Sequence, residues 1–184
     1  MKFNESKIKG LYVVELQPLI DERGFFVRSY CDKALRRAGI TKSIKQINHS
    51  FTSKVGTIRG MHYQHLPHVE IKMVRCIAGE IFDVAIDLRK GSDTFLQWHG
   101  EYLSAGDFKI MVIPEGFAHG FQAIKKNTEV FYPTTASYTP RAEAGILFSD
   151  ESIGIEWPLR ATNVSDKDLK HIALTKEFKG INIK

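Results

Sequence analysis

The chain has 184 residues, 43% of them hydrophobic and 26% charged, with 26 Lys and Arg against 21 Asp and Glu and a formal charge of +5. That length suits one domain over residues 1–184, and the composition excludes a collagen, a coiled coil and a disordered tail. The small cationic surplus suits an anionic ligand, but the basic residues gather only in pairs such as Arg36-Arg37 and Lys125-Lys126, so nucleic acid is not expected as a partner.

Met1 to Ser6 has no hydrophobic signal-peptide stretch, and no apolar run reaches the roughly 18 residues of a membrane span, so the expected location is the cytoplasm, away from membranes. Cys31 and Cys76 form no C-x-x-C pair and read as buried small apolar residues. Asp32 is placed to cap a short helix through Ala34, Leu35 and Ala38, which Gly39 would stop. Glu70 to Ala78 reads as a strand. In Ile81 to Leu88, Phe82, Val84, Ile86 and Leu88 alternate with Asp83 and Asp87, the mark of a strand with one face in a core. Lys109 to Ile113 and Thr128 to Tyr132 are further strands, and Ser165-Asp166-Lys167-Asp168 has the shape of a capping box opening a second helix. Short strands punctuated by glycines argue for an all-β sandwich or barrel. No β-α-β alternation and no G-x-G-x-x-G supports a dinucleotide-binding fold.

Chemistry-bearing residues concentrate in two blocks. The first is Thr57-Ile58-Arg59-Gly60-Met61-His62-Tyr63-Gln64, followed by Glu70 and Lys72. A bend at Gly60 would let Arg59 and His62 face one cavity. The second is Pro114-Glu115-Gly116-Phe117-Ala118-His119-Gly120-Phe121, where a strand ends in a turn that delivers a histidine. Taken singly, His65, His68, His99 and His171 read as ordinary satisfied histidines. Pro114, Gly116 and His119 match the second motif of the cupins, double-stranded β-helix barrels that often bind a metal. The first cupin motif needs H-x-H and a nearby Glu. Here it is His62-Tyr63-Gln64 with Glu70 too far on, and Gln replaces imidazole poorly on a transition metal. The reading is therefore a jelly-roll barrel with a few short peripheral helices and no metal in its pocket.

Asp21-Glu22-Arg23-Gly24-Phe25-Phe26, Gln46-Ile47-Asn48, Arg59 to Gln64, Lys72-Met73-Val74, Asp83-Val84, Asp87-Leu88-Arg89, Pro114 to Phe121, Tyr132, Tyr138, Trp157-Pro158 and Ser165 to Asp168 occur in this order. Together they resemble the dTDP-4-dehydrorhamnose 3,5-epimerase family over nearly the whole chain. The resemblance implies a cupin-type jelly roll, a homodimer, no metal and no cofactor. It also implies a nucleoside-diphosphate 4-keto-6-deoxy sugar as substrate, in the biosynthesis of cell-surface polysaccharide such as lipopolysaccharide or capsule.

Such a ketone acidifies C3 and C5, and inversion needs a base on one face, an acid on the other and a cation at the enolate oxygen. By resemblance His62 is the base, Asp168 its carboxylate partner, Tyr132 the acid and Lys72 the enolate stabiliser. Arg23 and Arg59 would bind the diphosphate, Arg23 by reaching a neighbouring subunit's pocket. Gln46, Asn48, His119, Glu143, Lys167 and Tyr138 match further substrate-binding positions. Arg28 stands where the family's pattern has Glu, Leu66 where it has Pro, Glu70 where Gln is frequent and Ser137 where Tyr is frequent. The residues alone leave open a metal-dependent cupin enzyme and a non-catalytic sugar-nucleotide-binding module.

Overall fold

The computed structural model describes residues 1–183. In chain order its elements are β1 (Lys2–Glu5), β2 (Tyr12–Glu15), β3 (Leu19–Asp21), β4 (Gly24–Phe26), α1 (Asp32–Arg37), β5 (Gln46–Thr52), β6 (Thr57–Gln64), β7 (Lys72–Ala78), β8 (Glu80–Asp87), β9 (Trp98–Ser104), β10 (Lys109–Ile113), β11 (Phe117–Ala123), β12 (Thr128–Thr134), β13 (Glu143–Gly145), β14 (Asn163–Val164) and α2 (Asp166–Leu169). No helix among the described residues is long and apolar enough to cross a membrane.

One sheet runs β1-β2-β10-β7-β12-β5, and a second runs β13-β6-β11-β8-β9 with β14 beside β6. Ile81, Ala85, Phe117 and Phe121 of the second sheet pack with Val74, Cys76, Met111, Ile113 and Val130 of the first. Full burial of each large apolar side chain contributes about 1.5–3 kcal/mol. This two-sheet barrel is the cupin-type jelly roll that the glycine-punctuated strands predict.

Strand β8 departs from the one-sided expectation, because both of its faces are buried. Phe82, Val84, Ile86 and Leu88 do form an apolar face, but it lies outside the barrel under Ile153, Trp157, Leu174, Phe178 and Ile181. The C-terminal segment therefore covers what would otherwise be the barrel's wet wall. The other face, with Asp83, points inward among Ile81 and Ala85.

The two helices form with small shifts. Cys31, not Asp32, is the N-cap of α1 and makes no side-chain cap; Asp32 lies in the first turn and pairs with Arg36. Gly39 follows the helix at φ +83°, a conformation that suits glycine. Leu35 anchors α1 on Val14, Met73, Ile110 and Val112 of the first sheet. Ser165 caps α2 by accepting the Asp168 N–H. Cys76 is buried and its thiol is pushed up to about 11, chiefly by burial; Cys31 is only half-buried, a departure from the expected core position.

Candidate active site

Strand β6 owes its shape to two glycines. His62 lies opposite His119 and Arg59 opposite Phe121, so two residues of β6, Gly60 and Met61, face one of β11, Gly120. That is a β-bulge. In an unbroken strand Arg59 and His62, three apart, would point to opposite faces. The bulge brings both to one cavity, together with Thr57. It requires glycine: a Cβ on Gly60 would fall 2.6 Å from the Gly120 Cα, and one on Gly120 would fall 2.5 Å from the Met61 Sδ.

His62 Nε2 lies 2.7 Å from Asp168 Oδ1. The other carboxylate oxygen, Oδ2, accepts the Gly60 N–H at 3.1 Å. In a capping box the third residue of the helix reaches back to the cap's N–H. Asp168 instead turns its carboxylate to β6, so the short α2 serves to hold it there. Burial acts to raise the Asp168 carboxyl, but the hydrogen bond and charge of His62, with the Gly60 N–H, outweigh it and hold the group below the ordinary carboxylate range. An ionised Asp168 fixes the proton of neutral His62 on Nε2. Nδ1 is left as the free base nitrogen.

A second pair stands beside the first, with His119 Nε2 2.7 Å from Asp83 Oδ1 and both side chains buried. Complete burial pushes Asp83 up, with the charges of His119 and Lys72 opposing. Asp83 lies on the strand next to β11, two residues from the partner of His119. In the sequence it shows as a charged residue in an apolar strand and as part of the block that resembles the family, with no role attached.

From the facing sheet, β7 supplies Lys72 and β12 supplies Tyr132. The Lys72 ammonium is 3.4 Å from the His62 carbonyl and 3.4 Å from Glu70. Burial pushes the Tyr132 phenol above its ordinary value, Glu70 adds to this and Arg59 opposes it. His62, Lys72 and Tyr132 line two adjoining cavities at once, of about 340 and 240 Å³.

The first cavity also holds Arg59, His119, Lys167 and Asp168; the second holds Gln46, Asn48, Glu70, Tyr138 and Glu143. The Arg59 guanidinium is aimed by Thr52 Oγ1 and the Phe51 carbonyl. Gln46 and Asn48 are bonded to each other, and Gln46 also accepts the Tyr138 N–H. Glu143 accepts from Tyr138 and Lys167; burial acts to raise its carboxyl, and these two partners hold it low.

Every sequence-selected site residue is thus at one pocket except Arg23. Arg23 lies on the β3–β4 hairpin, its side chain 83% exposed and paired with Asp21. Arg28 lines a separate hollow with Met1, Gln17, Lys33 and Arg37. The cupin metal positions lack their second imidazole, and the Gln64 that stands there turns its amide to the His68 carbonyl and the Thr139 N–H.

Two readings of single histidines need correction. His99 and His171 each bury an Nε2 that has no hydrogen-bond partner. His171 is moreover a neighbour of the dyad, its ring 5.7 Å from that of His62. Its position just past α2 gave no pattern by which to find it.

Residues 5–176 match the family model described as dTDP-4-dehydrorhamnose 3,5-epimerase. The enzyme of that name from Shigella flexneri is 44% identical over 170 residues, which is 92% of this chain and 93% of that one. Its counterpart from Pseudomonas aeruginosa is 43% identical, over 91% and 93%. The crystal structure of the Bacillus anthracis dTDP-4-dehydrorhamnose 3,5-epimerase, with TDP and PPi bound, is similar at a TM-score of 0.91 and 38% identity over 94% of this chain and 99% of that one. The Legionella pneumophila dTDP-6-deoxy-D-glucose-3,5-epimerase, in complex with dTDP-4-keto-L-rhamnose, is similar at 0.92 and 36%, over 100% and 98%.

Proposed function

The chain belongs to the dTDP-4-dehydrorhamnose 3,5-epimerase family, and we propose that it inverts both C3 and C5 of a dTDP-linked 4-keto-6-deoxy sugar. It is an isomerase, and its substrate class is the nucleoside-diphosphate 4-keto-6-deoxy sugars of carbohydrate biosynthesis. We place the product in cell-surface polysaccharide synthesis and the enzyme in the cytoplasm, as one domain.

The observation that carries the reading is the placement of His62 and Tyr132 on opposite sheets, lining the same two cavities. A sugar ring between them has a base on one face and a proton donor on the other. His62 Nδ1 takes the proton beside the ketone, and the resulting imidazolium is held by the Asp168 carboxylate. Charge develops on the C4 oxygen, where the Lys72 ammonium stabilises it; preorganised charge of this kind is usually the largest single contribution. Tyr132, whose raised phenol stays protonated well past neutral pH, returns a proton to the opposite face. No step requires an electron acceptor, since proton removal and return leave the oxidation state unchanged. Arg59 and Lys167 suit the diphosphate, and a planar fork of donors fits phosphate oxygens. Gln46, Asn48, His119, Glu143 and Tyr138 line the remaining wall.

Arg23 completes the diphosphate site only in an assembly. Leu19, Ile20, Phe25 and Phe26 of its hairpin are 60–75% exposed in the single chain, an apolar arm touched only at Phe25, whose ring lies edge-on to Phe108, among the described aromatic contacts. A homodimer in which each arm enters the other copy's pocket would bury these side chains and deliver Arg23. Analytical ultracentrifugation should give a dimer; a monomer that retains full activity would remove Arg23 from the site.

Incubation with the dTDP-linked 4-keto sugar in heavy water, followed by NMR, tests the function. Deuterium should enter C3 and C5 with inversion. A protein that binds the sugar nucleotide tightly and exchanges neither position would instead be a binding module.

A further inference from the structure

His171 does not belong to the machinery described above, yet it points at its centre. The side chain is 14% exposed, and its Nε2 is wholly buried without a hydrogen-bond partner. That nitrogen lies 3.8 Å from Asp168 Oδ1, too long for a hydrogen bond. The ring is held in place from two sides. The His171 backbone N–H donates to the Asp168 carbonyl, which fixes the Cα from which the ring projects. The ring also rests on bare backbone at Gly145 of β13, where a Cβ would fall 2.2 Å from Nε2. A buried donor or acceptor without a partner is destabilising, so the arrangement calls for a ligand.

We propose that His62 Nε2, Asp168 Oδ1 and His171 Nε2 form a divalent-metal site, suited to zinc, that shuts the enzyme off when filled. The three ligand atoms lie within 4.8 Å of one another. Two imidazoles and a carboxylate are a ligand set that zinc accepts, leaving a fourth position for water. Bonds of about 2.0–2.2 Å at tetrahedral angles put ligand atoms about 3.3 Å apart. The His62–Asp168 contact at 2.7 Å must therefore open by a few tenths of an ångström, and the Asp168–His171 gap at 3.8 Å must close by a similar amount. Rotation of the carboxylate serves both, and the two imidazoles, whose ligand atoms are within 4.8 Å of each other, must also draw together. The site shares only His62 with the cupin metal positions, which otherwise fall on Gln64, Glu70 and His119, and takes Asp168 and His171 instead.

Inhibition follows from the tautomer. Zinc on Nε2 displaces the proton that His62 shares with Asp168, and the one proton left on the neutral ring must sit on Nδ1. Nδ1 then has no lone pair with which to take a substrate proton. This consequence rests on His62 being the base; the binding itself does not.

The test separates the two. Chelator-treated full-length protein is titrated with zinc by calorimetry and with cobalt by visible absorption. The wild type should bind one equivalent of each, and the cobalt form should show the intense bands of four-coordinate geometry. His171→Ala, and His171→Gln as a bulk-preserving control, should weaken zinc binding by more than about 100-fold, the upper range for loss of a mere outer-shell partner. Both should keep the wild-type melting temperature and deuterium-exchange activity. Zinc should inhibit exchange in the wild type, reversibly with chelator, and not in the variants. No zinc binding by the wild type, or equal binding by His171→Ala, overturns the site. Zinc binding that depends on His171 but leaves exchange untouched overturns the inhibitory role and with it the assignment of His62 as base. A wild type with no exchange activity refutes the function above while the titrations still decide the site.

Discussion

Asp168→Asn isolates what the carboxylate does for His62. The substitution keeps the shape of the side chain and leaves the Ser165 cap intact, because that cap uses the Asp168 backbone N–H. The amide has one acceptor and one donor where the carboxylate has two acceptors. Its oxygen can face His62 Nε2 or the Gly60 N–H, not both. If the oxygen stays on His62, the amide N–H₂ confronts the buried Gly60 N–H. If it turns to Gly60, the N–H₂ donates to Nε2, and the His62 proton moves to Nδ1, where the base should be. A hydrogen bond to a charged group contributes about 1.5–3 kcal/mol and a buried unpaired polar group costs about 1–3 kcal/mol. The first, about 1.5–3 kcal/mol of imidazolium stabilisation, at about 1.4 kcal/mol per decade lowers the rate by about 10- to 100-fold; the second falls on the folded state and lowers its stability. Deuterium incorporation at C3 and C5 should fall by that factor, with a lowered melting temperature from the mismatched Gly60 N–H. A variant within a few-fold of the wild type would show that the carboxylate neither sets the tautomer nor steadies the imidazolium.

Tyr132→Phe should cut inverted product by about 10²- to 10⁴-fold while His62 still washes deuterium into retained configuration, which NMR distinguishes from inversion. Because burial raises the phenol, the alkaline limb of the wild-type pH profile should lie above about pH 10, the ordinary tyrosine value; a limb well below it would assign the acid elsewhere. Lys72→Met should lower kcat about 10²- to 10³-fold with little change in substrate affinity, read by steady-state kinetics, whereas a rise in KM alone would make Lys72 only a binding group. Asp87 is fully buried, and although burial acts to raise its carboxyl, Arg89, Ser92 and Thr94 hold it low. A lowered folded-state pKa stabilises above the unfolded value, about 3.9, and that contribution is lost as pH falls through the folded value. Thermal melts should therefore drop steeply below about pH 4, and less steeply in Asp87→Asn; identical acid slopes would remove Asp87 from that role.

The site was legible where local chemistry forces it. Gly60 and Gly120 announce a close approach of two strands, and the bend expected at Gly60 is the bulge that turns Arg59 and His62 to one cavity. The capping pattern at Ser165 placed a helix correctly; pattern alone makes Asp168 a cap partner, and it is the family resemblance that pairs it with His62. Strand β8 shows a limit of periodicity: alternation reveals two different faces and does not say which lies inside the barrel, because a distant C-terminal segment covers the apolar one. Capping chemistry likewise favoured Asp32, while the chain starts the helix one residue earlier at Cys31. His171 was hidden because its meaning depends on the bare backbone of Gly145, a tertiary contact that no spacing encodes.

The base assignment is tested most directly with His62→Asn in heavy water, supplied with the dTDP-linked 4-keto-6-deoxy sugar. The wild type should place solvent deuterium at C3 and C5 with inversion, and the variant should place it at neither. Continued exchange at both carbons in the folded variant would contradict the account.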